Sequence, residues 1–162
     1  MTVRYVVLAE EIENEIQKLK KVESKIQRIV STLKKGKVEK EIYLDALALT
    51  LHSFYTGLEN IFENIAAKVD GDIPSGESWH NDLLIQMATT LKDIRPNVIS
   101  ESLAAELREL LAFRHRIRNI YSFDIDETNV LRICGKLNTF RKILFKELHS
   151  FVGFLKNSGE NS

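Results

Sequence analysis

Three observations predict an all-α fold for this chain, an up-and-down four-helix bundle with an additional short helix. Apolar residues recur at three- and four-residue steps, the long segments lack strand-like alternation, and only seven glycines and two prolines interrupt 162 residues. Brief loops between the segments favour antiparallel neighbours.

The first helix is expected over residues 6–33, where Ile12, Ile16, Leu19, Val22, Ile26, Ile29 and Val30 make one apolar stripe. Lys34-Lys35-Gly36 ends it. Glutamates at 10, 11, 13 and 15 give way to lysines and an arginine further on, an order that serves the helix dipole and leaves a basic end. A second helix is expected over 38–69 through Leu44, Leu51, Phe54, Leu58, Ile61 and Ile65, and it stops at Asp70-Gly71-Asp72 ahead of Pro74. Ser78 has the chemistry of an N-cap for a shorter helix carrying Trp79, Leu83, Leu84 and Met87, which ends before Pro96. Ser100 caps the next helix, with Glu101 in its first turn and Leu103, Leu107, Leu110 and Leu111 leading on. Phe123 to Asp126 closes that helix, and the last one is expected over 127–155 through Val130, Leu131, Leu137, Phe140, Leu144, Leu148, Phe151 and Phe154.

With 44% hydrophobic residues the chain can bury one core, so a single domain is expected over 1–156 with a disordered tail over 157–162. Twenty-three Lys and Arg balance 23 Asp and Glu, which excludes a global attraction to nucleic acid and leaves local patches as the means of binding it. Cys134 has no partner for an internal disulfide, the first nine residues carry no leader pattern, and no run approaches membrane-spanning length. A cytoplasmic protein without membrane association is expected. The four histidines show no metal-ligand spacing and there is no Gly-rich phosphate loop, so neither metal nor cofactor is expected. His52 reads as a satisfied, partly buried residue and His80 as a residue near a helix start.

Chemistry concentrates in Phe113-Arg114-His115-Arg116-Ile117-Arg118-Asn119-Ile120-Tyr121. If the helix continues through this stretch, Leu110, Phe113, Ile117, Ile120 and Tyr121 share an apolar arc of about 100°, and Arg114, Arg118, His115 and Asn119 fill roughly the next 140°. Two guanidinium groups, an imidazole and an amide on one flank suit a phosphate ester. Leu111 falls in the middle of that polar arc, where an exposed leucine suggests an interface. The same cluster also suits a solvated face paired with Glu106, Glu109 and Asp124.

This stretch resembles the HEPN superfamily and, within it, the HepT-like proteins of prokaryotic toxin–antitoxin pairs. Members carry an Arg, usually followed by a polar residue, then a His after four to six positions and a Tyr two residues later. Arg114, His115 and Tyr121 fit that pattern, while Asn119 stands in the place of the His. The resemblance extends over Phe54-Tyr55-Thr56-Gly57-Leu58-Glu59-Asn60-Ile61-Phe62-Glu63, the segment from Ser78-Trp79-His80 to Met87, and Ile94-Arg95-Pro96-Asn97-Val98-Ile99-Ser100.

The resemblance implies a metal-independent endoribonuclease toxin acting on RNA, tRNA being one candidate. Arg114 would stabilise the charged transition state, Arg118 would hold a second phosphate, and Tyr121 would take AMP from a cognate MntA-like nucleotidyltransferase antitoxin, silencing the site by charge and bulk. It also implies a homodimer with two motifs facing each other, Leu111 near the two-fold axis. An asparagine does not titrate, so His115 and Asn119 would share the role of the family His. The alternative is a catalytically silent HEPN module that docks a nucleotidyltransferase or a nucleotide.

Overall fold

The computed structural model describes residues 2–118, 121 and 124–161 of the chain. Five α-helices form from them: α1 over Thr2–Lys35, α2 over Lys40–Ile65, α3 over Trp79–Ala88, α4 over Glu101–Ile117 and α5 over Glu127–Glu160. No strand occurs among the described residues, and the four long helices with one short one make the all-α bundle that the periodicity predicts. α1 packs lengthwise on α2 and α5, while α3 sits on α4 and α2. The interior is the sum of the apolar stripes: Leu8, Ile12, Ile16, Leu19 and Ile26 of α1 meet Leu47, Leu51, Phe54 and Leu58 of α2 and Leu137, Leu144 and Leu148 of α5. Gly57 allows α1 and α2 to approach closely, since a Cβ there would stand 2.9 Å from Leu19 Cδ2.

The helix ends show where local chemistry holds and where it does not. Ser100 is a working N-cap: its Oγ accepts from the Leu103 N–H at 3.3 Å, and Glu147 of α5 accepts from the Ser100 N–H at 2.9 Å. Asp126 caps α5 in the same way by accepting from the Asn129 N–H at 3.4 Å. Ser78 does not cap α3, because its side chain makes no cap hydrogen bond. Instead the Trp79 N–H donates to Gly76 O at 3.4 Å and the Asp82 N–H to Ser78 O at 3.0 Å. α5 continues to Glu160, where the burial of Gly159 shows packing in place of the disordered tail expected over 157–162. α2 ends in one wider π-turn over Ala66–Asp70, closed by Gly71 at φ +78.

That π-turn places Asp70 against Arg95, the residue that fastens α3 to the bundle. The side chain of Arg95 is fully buried, and all five of its N–H donors are used. Nε and Nη2 grip the two carboxylate oxygens of Asp70, the latter at 2.7 Å, while Nη1 and Nη2 also donate to Thr89 O, Pro96 O and Gln86 O at 3.0 to 3.1 Å. The Val98 and Ile99 N–H groups donate to Met87 O at 2.8 and 3.3 Å, completing the fold-back after α3. Among the described residues no helix is long and apolar enough to cross a membrane.

Candidate active site

Arg114 lies in the last turn of α4, on the side that faces α2, and its side chain is only 12% exposed. Three residues of α2 receive it. His52, Tyr55 and Glu59 follow one another at helical steps of three and four, so they share one face. Arg114 Nε donates to His52 Nε2 at 3.4 Å, Nη1 donates to Glu59 Oε1 at 3.3 Å, and the guanidinium carbon stands 5.8 Å from the centre of the Tyr55 ring. The other oxygen of Glu59 accepts from His80 Nδ1 of α3 at 2.6 Å. One buried carboxylate thus links α2, α3 and α4.

Burial and charge tune these groups. Burial first, then the charges of Arg114 and Arg118, hold the His52 imidazole below the usual histidine range. A guanidinium has no acceptor, so His52 Nε2 must offer a lone pair and the ring is neutral with its proton on Nδ1. Burial, reinforced by the Glu59 charge, raises the Tyr55 phenol and the Glu63 carboxyl above their ordinary values. His80 is held from its other side by the Trp79 ring, whose centre lies 3.6 Å from its own.

Two cavities flank Arg114. One, of about 380 Å³, is lined by Asp45, Ala48, Leu49, His52, Ile117, Arg118 and Ile125. The other, of about 270 Å³, lies between α3 and α4 and is lined by residues that include Ser78, His80, Asn81, Arg108, Leu111 and His115. Among the described residues no group of three His, Cys, Asp or Glu side chains converges in the manner of a metal site.

The structure separates the residues that the helical wheel places on a single flank. α4 ends at Ile117, and Arg118 is its C-cap, its N–H donating to Arg114 O at 3.3 Å. Tyr121 therefore lies beyond the helix, 73% exposed, rather than at the edge of an apolar arc. Arg114 turns inward onto α2, whereas His115 and Arg118 are exposed and line different cavities. Asn119, the expected partner of His115, lies outside the described residues. Leu111 requires a correction: it is only 7% exposed, because α3 covers the part of the polar arc in which it sits, and so it is not an exposed contact at a two-fold axis.

Sequence reasoning missed His52, Glu59 and His80 as members of the site. A signal was present in Glu59, a carboxylate one turn after Tyr55 and set among Leu58, Ile61 and Phe62, where a charge is retained only with a partner. Nothing local names His80 or Arg114 as that partner.

An all-α bundle in which the arginine at the end of α4 is held against a polar face of α2 is consistent with a HEPN-like helical protein. The family model described as HepT-like protein matches residues 46–155, which include His52, Tyr55, Glu59, His80 and Arg114, and the chain belongs to the HepT-like family. No match was found among the curated proteins or the solved structures.

Proposed function

We propose that this HepT-like protein is a toxin with metal-independent endoribonuclease activity on RNA, tRNA among its candidate substrates. The observation that supports it best is the gathering at the end of α4 of a cation anchored in the bundle, Arg114, with Arg118 and His115 exposed on either side of it. An arginine keeps its charge at any working pH, and one held by Glu59 and His52 meets a phosphate without first being ordered. Arg118 is the RNA-holding cation, and His115 with Asn119 handles protons in place of the family His. Tyr121, 73% exposed and three residues beyond Arg118, is accessible to a cognate MntA-like nucleotidyltransferase. AMP on its hydroxyl would bring a phosphodiester anion to the cations that RNA needs. A homodimer would double those cations across one cleft.

The test is cleavage of total tRNA and of a single-stranded RNA by the purified chain in EDTA. Wild type should cut, Arg114→Ala should lose roughly 10²- to 10³-fold in rate, and Tyr121→Phe should cut but resist silencing by the nucleotidyltransferase with ATP. A second reading, the silent docking module, is favoured by the ion pair in which Glu59 neutralises Arg114. It predicts no cleavage by wild type together with retained binding of the nucleotidyltransferase.

A further inference from the structure

His52 meets Arg114 directly and His80 meets it through Glu59, and the two imidazoles use different ring nitrogens. His52 receives the Arg114 N–H on Nε2 and carries its proton on Nδ1, so its lone pair is already engaged. His80 is bonded the other way. A carboxylate only accepts, so the 2.6 Å contact to Glu59 must be an Nδ1–H donation, and in the neutral ring the nitrogen left with a lone pair is Nε2. The carboxylate fixes the tautomer, orients the ring and stabilises the imidazolium formed on protonation, the logic by which an acid–imidazole pair makes a general base. His80 also lines the 270 Å³ cavity between α3 and α4 together with Arg108 and His115. That space is below the range of about 300–1,000 Å³ that drug-sized ligands fill, and it suits one ribose–phosphate unit.

We propose that His80, oriented by Glu59, is the proton acceptor for RNA cleavage in this cavity, an inference that rests on the ribonuclease reading. The 2′-hydroxyl gives its proton to His80 Nε2 as its oxygen bonds to the adjacent phosphorus. The bond from phosphorus to the 5′-oxygen breaks, and protonated His115 gives a proton to the departing oxygen. The products are a 2′,3′-cyclic phosphate and a 5′-hydroxyl, and exchange with water resets both imidazoles. Arg108, which lines the same cavity, would hold the phosphate oxygens. The charged groups around His80 are Glu59 and Glu63 of α2, Arg108, Arg114 and His115 of α4, and Glu77 of the preceding loop. The arrangement makes Asn119 intelligible, since the proton no longer depends on the position where the family carries His.

The experiment follows a fluorophore-labelled single-stranded RNA with the full chain in EDTA, across pH, for wild type, His80→Asn and His80→Ala, the last with and without added imidazole. The expected result is a loss in kcat/KM of at least about 10²-fold for both variants, RNA affinity within roughly threefold of wild type, loss of the acid limb of the pH profile, and partial rescue of His80→Ala by imidazole. Cyclic phosphate ends should appear on the products. Variants that cut within roughly threefold of wild type, or a loss that imidazole does not rescue and that leaves the acid limb in place, overturn the inference while the ribonuclease reading stands. Wild type that cuts no RNA removes the reading and the inference together. Circular dichroism checks the folding of each variant, and His80→Gln, which keeps a donor for Glu59, replaces His80→Asn if that variant loses its helix.

Discussion

At the scale of the residue, Glu59 carries the most consequence, because one carboxylate that is 6% exposed serves a guanidinium on one oxygen and an imidazole on the other. Each of these groups would be costly to bury alone, and together they satisfy one another. His52 answers to the same cluster in the opposite sense. Burial and two neighbouring arginines depress its folded pKa below the ordinary histidine value of 6.5, so the unfolded chain binds the proton more readily. The stability this provides is complete above the unfolded pKa and is lost as pH falls through the window below 6.5 toward the folded value. The melting temperature of wild type should therefore fall more steeply between about pH 7 and pH 5 than that of His52→Gln. Parallel curves for the two proteins would show that His52 is not held neutral by the fold.

At the scale of the element, α4 is positioned by its two ends. Its N-terminus is fixed by Ser100 Oγ and tied to α5 through Glu147, while its C-terminus is fixed by Arg114 on α2. Ser100→Ala removes the acceptor for the Leu103 N–H and should cost about 1 kcal/mol, read as a lower urea midpoint with an unchanged slope. A change below about 0.3 kcal/mol would mean that water replaces the cap, since exposed caps are worth least. The early end of α4 at Ile117 matters as much as its start. A helix continued to Tyr121 would have kept Tyr121 on the apolar arc, and the actual end leaves it exposed beyond Arg118.

At the scale of the whole molecule, α1, α2 and α5 form the frame and α3 is the attached part that brings His80 to Glu59. Its attachment rests on Arg95, whose planar fork satisfies Asp70 bidentately and three backbone carbonyls besides. Lysine has three donors on a point charge and cannot reproduce that set. Arg95→Lys keeps the charge opposite Asp70 but leaves buried carbonyls without donors, so it should destabilise the chain by about 1–3 kcal/mol, and amide exchange should quicken first in α3. Uniform exchange across all helices would show instead that α3 unfolds only with the entire bundle. Burial in α5 pushes the Cys134 thiol up to about 12, which leaves it a weak nucleophile.

Periodicity determined the helices, because each must bury a stripe and each stripe is written at steps of three and four. The Ser100 cap and the stop at Gly71 are legible for the same reason, since each depends on a few adjacent residues, whereas Ser78, with the same local chemistry, does not cap. The segment from Phe113 to Tyr121 carried the family resemblance, and the match of the HepT-like family model over residues 46–155 shows that family. Tertiary structure alone decided which way Arg114 turns, that α3 covers Leu111, and that Glu59 and His80, 21 positions apart, share a hydrogen bond. A helical wheel distinguishes faces but does not say what lies against them, and the pairing of buried charges is an outcome of packing between helices far apart in the chain.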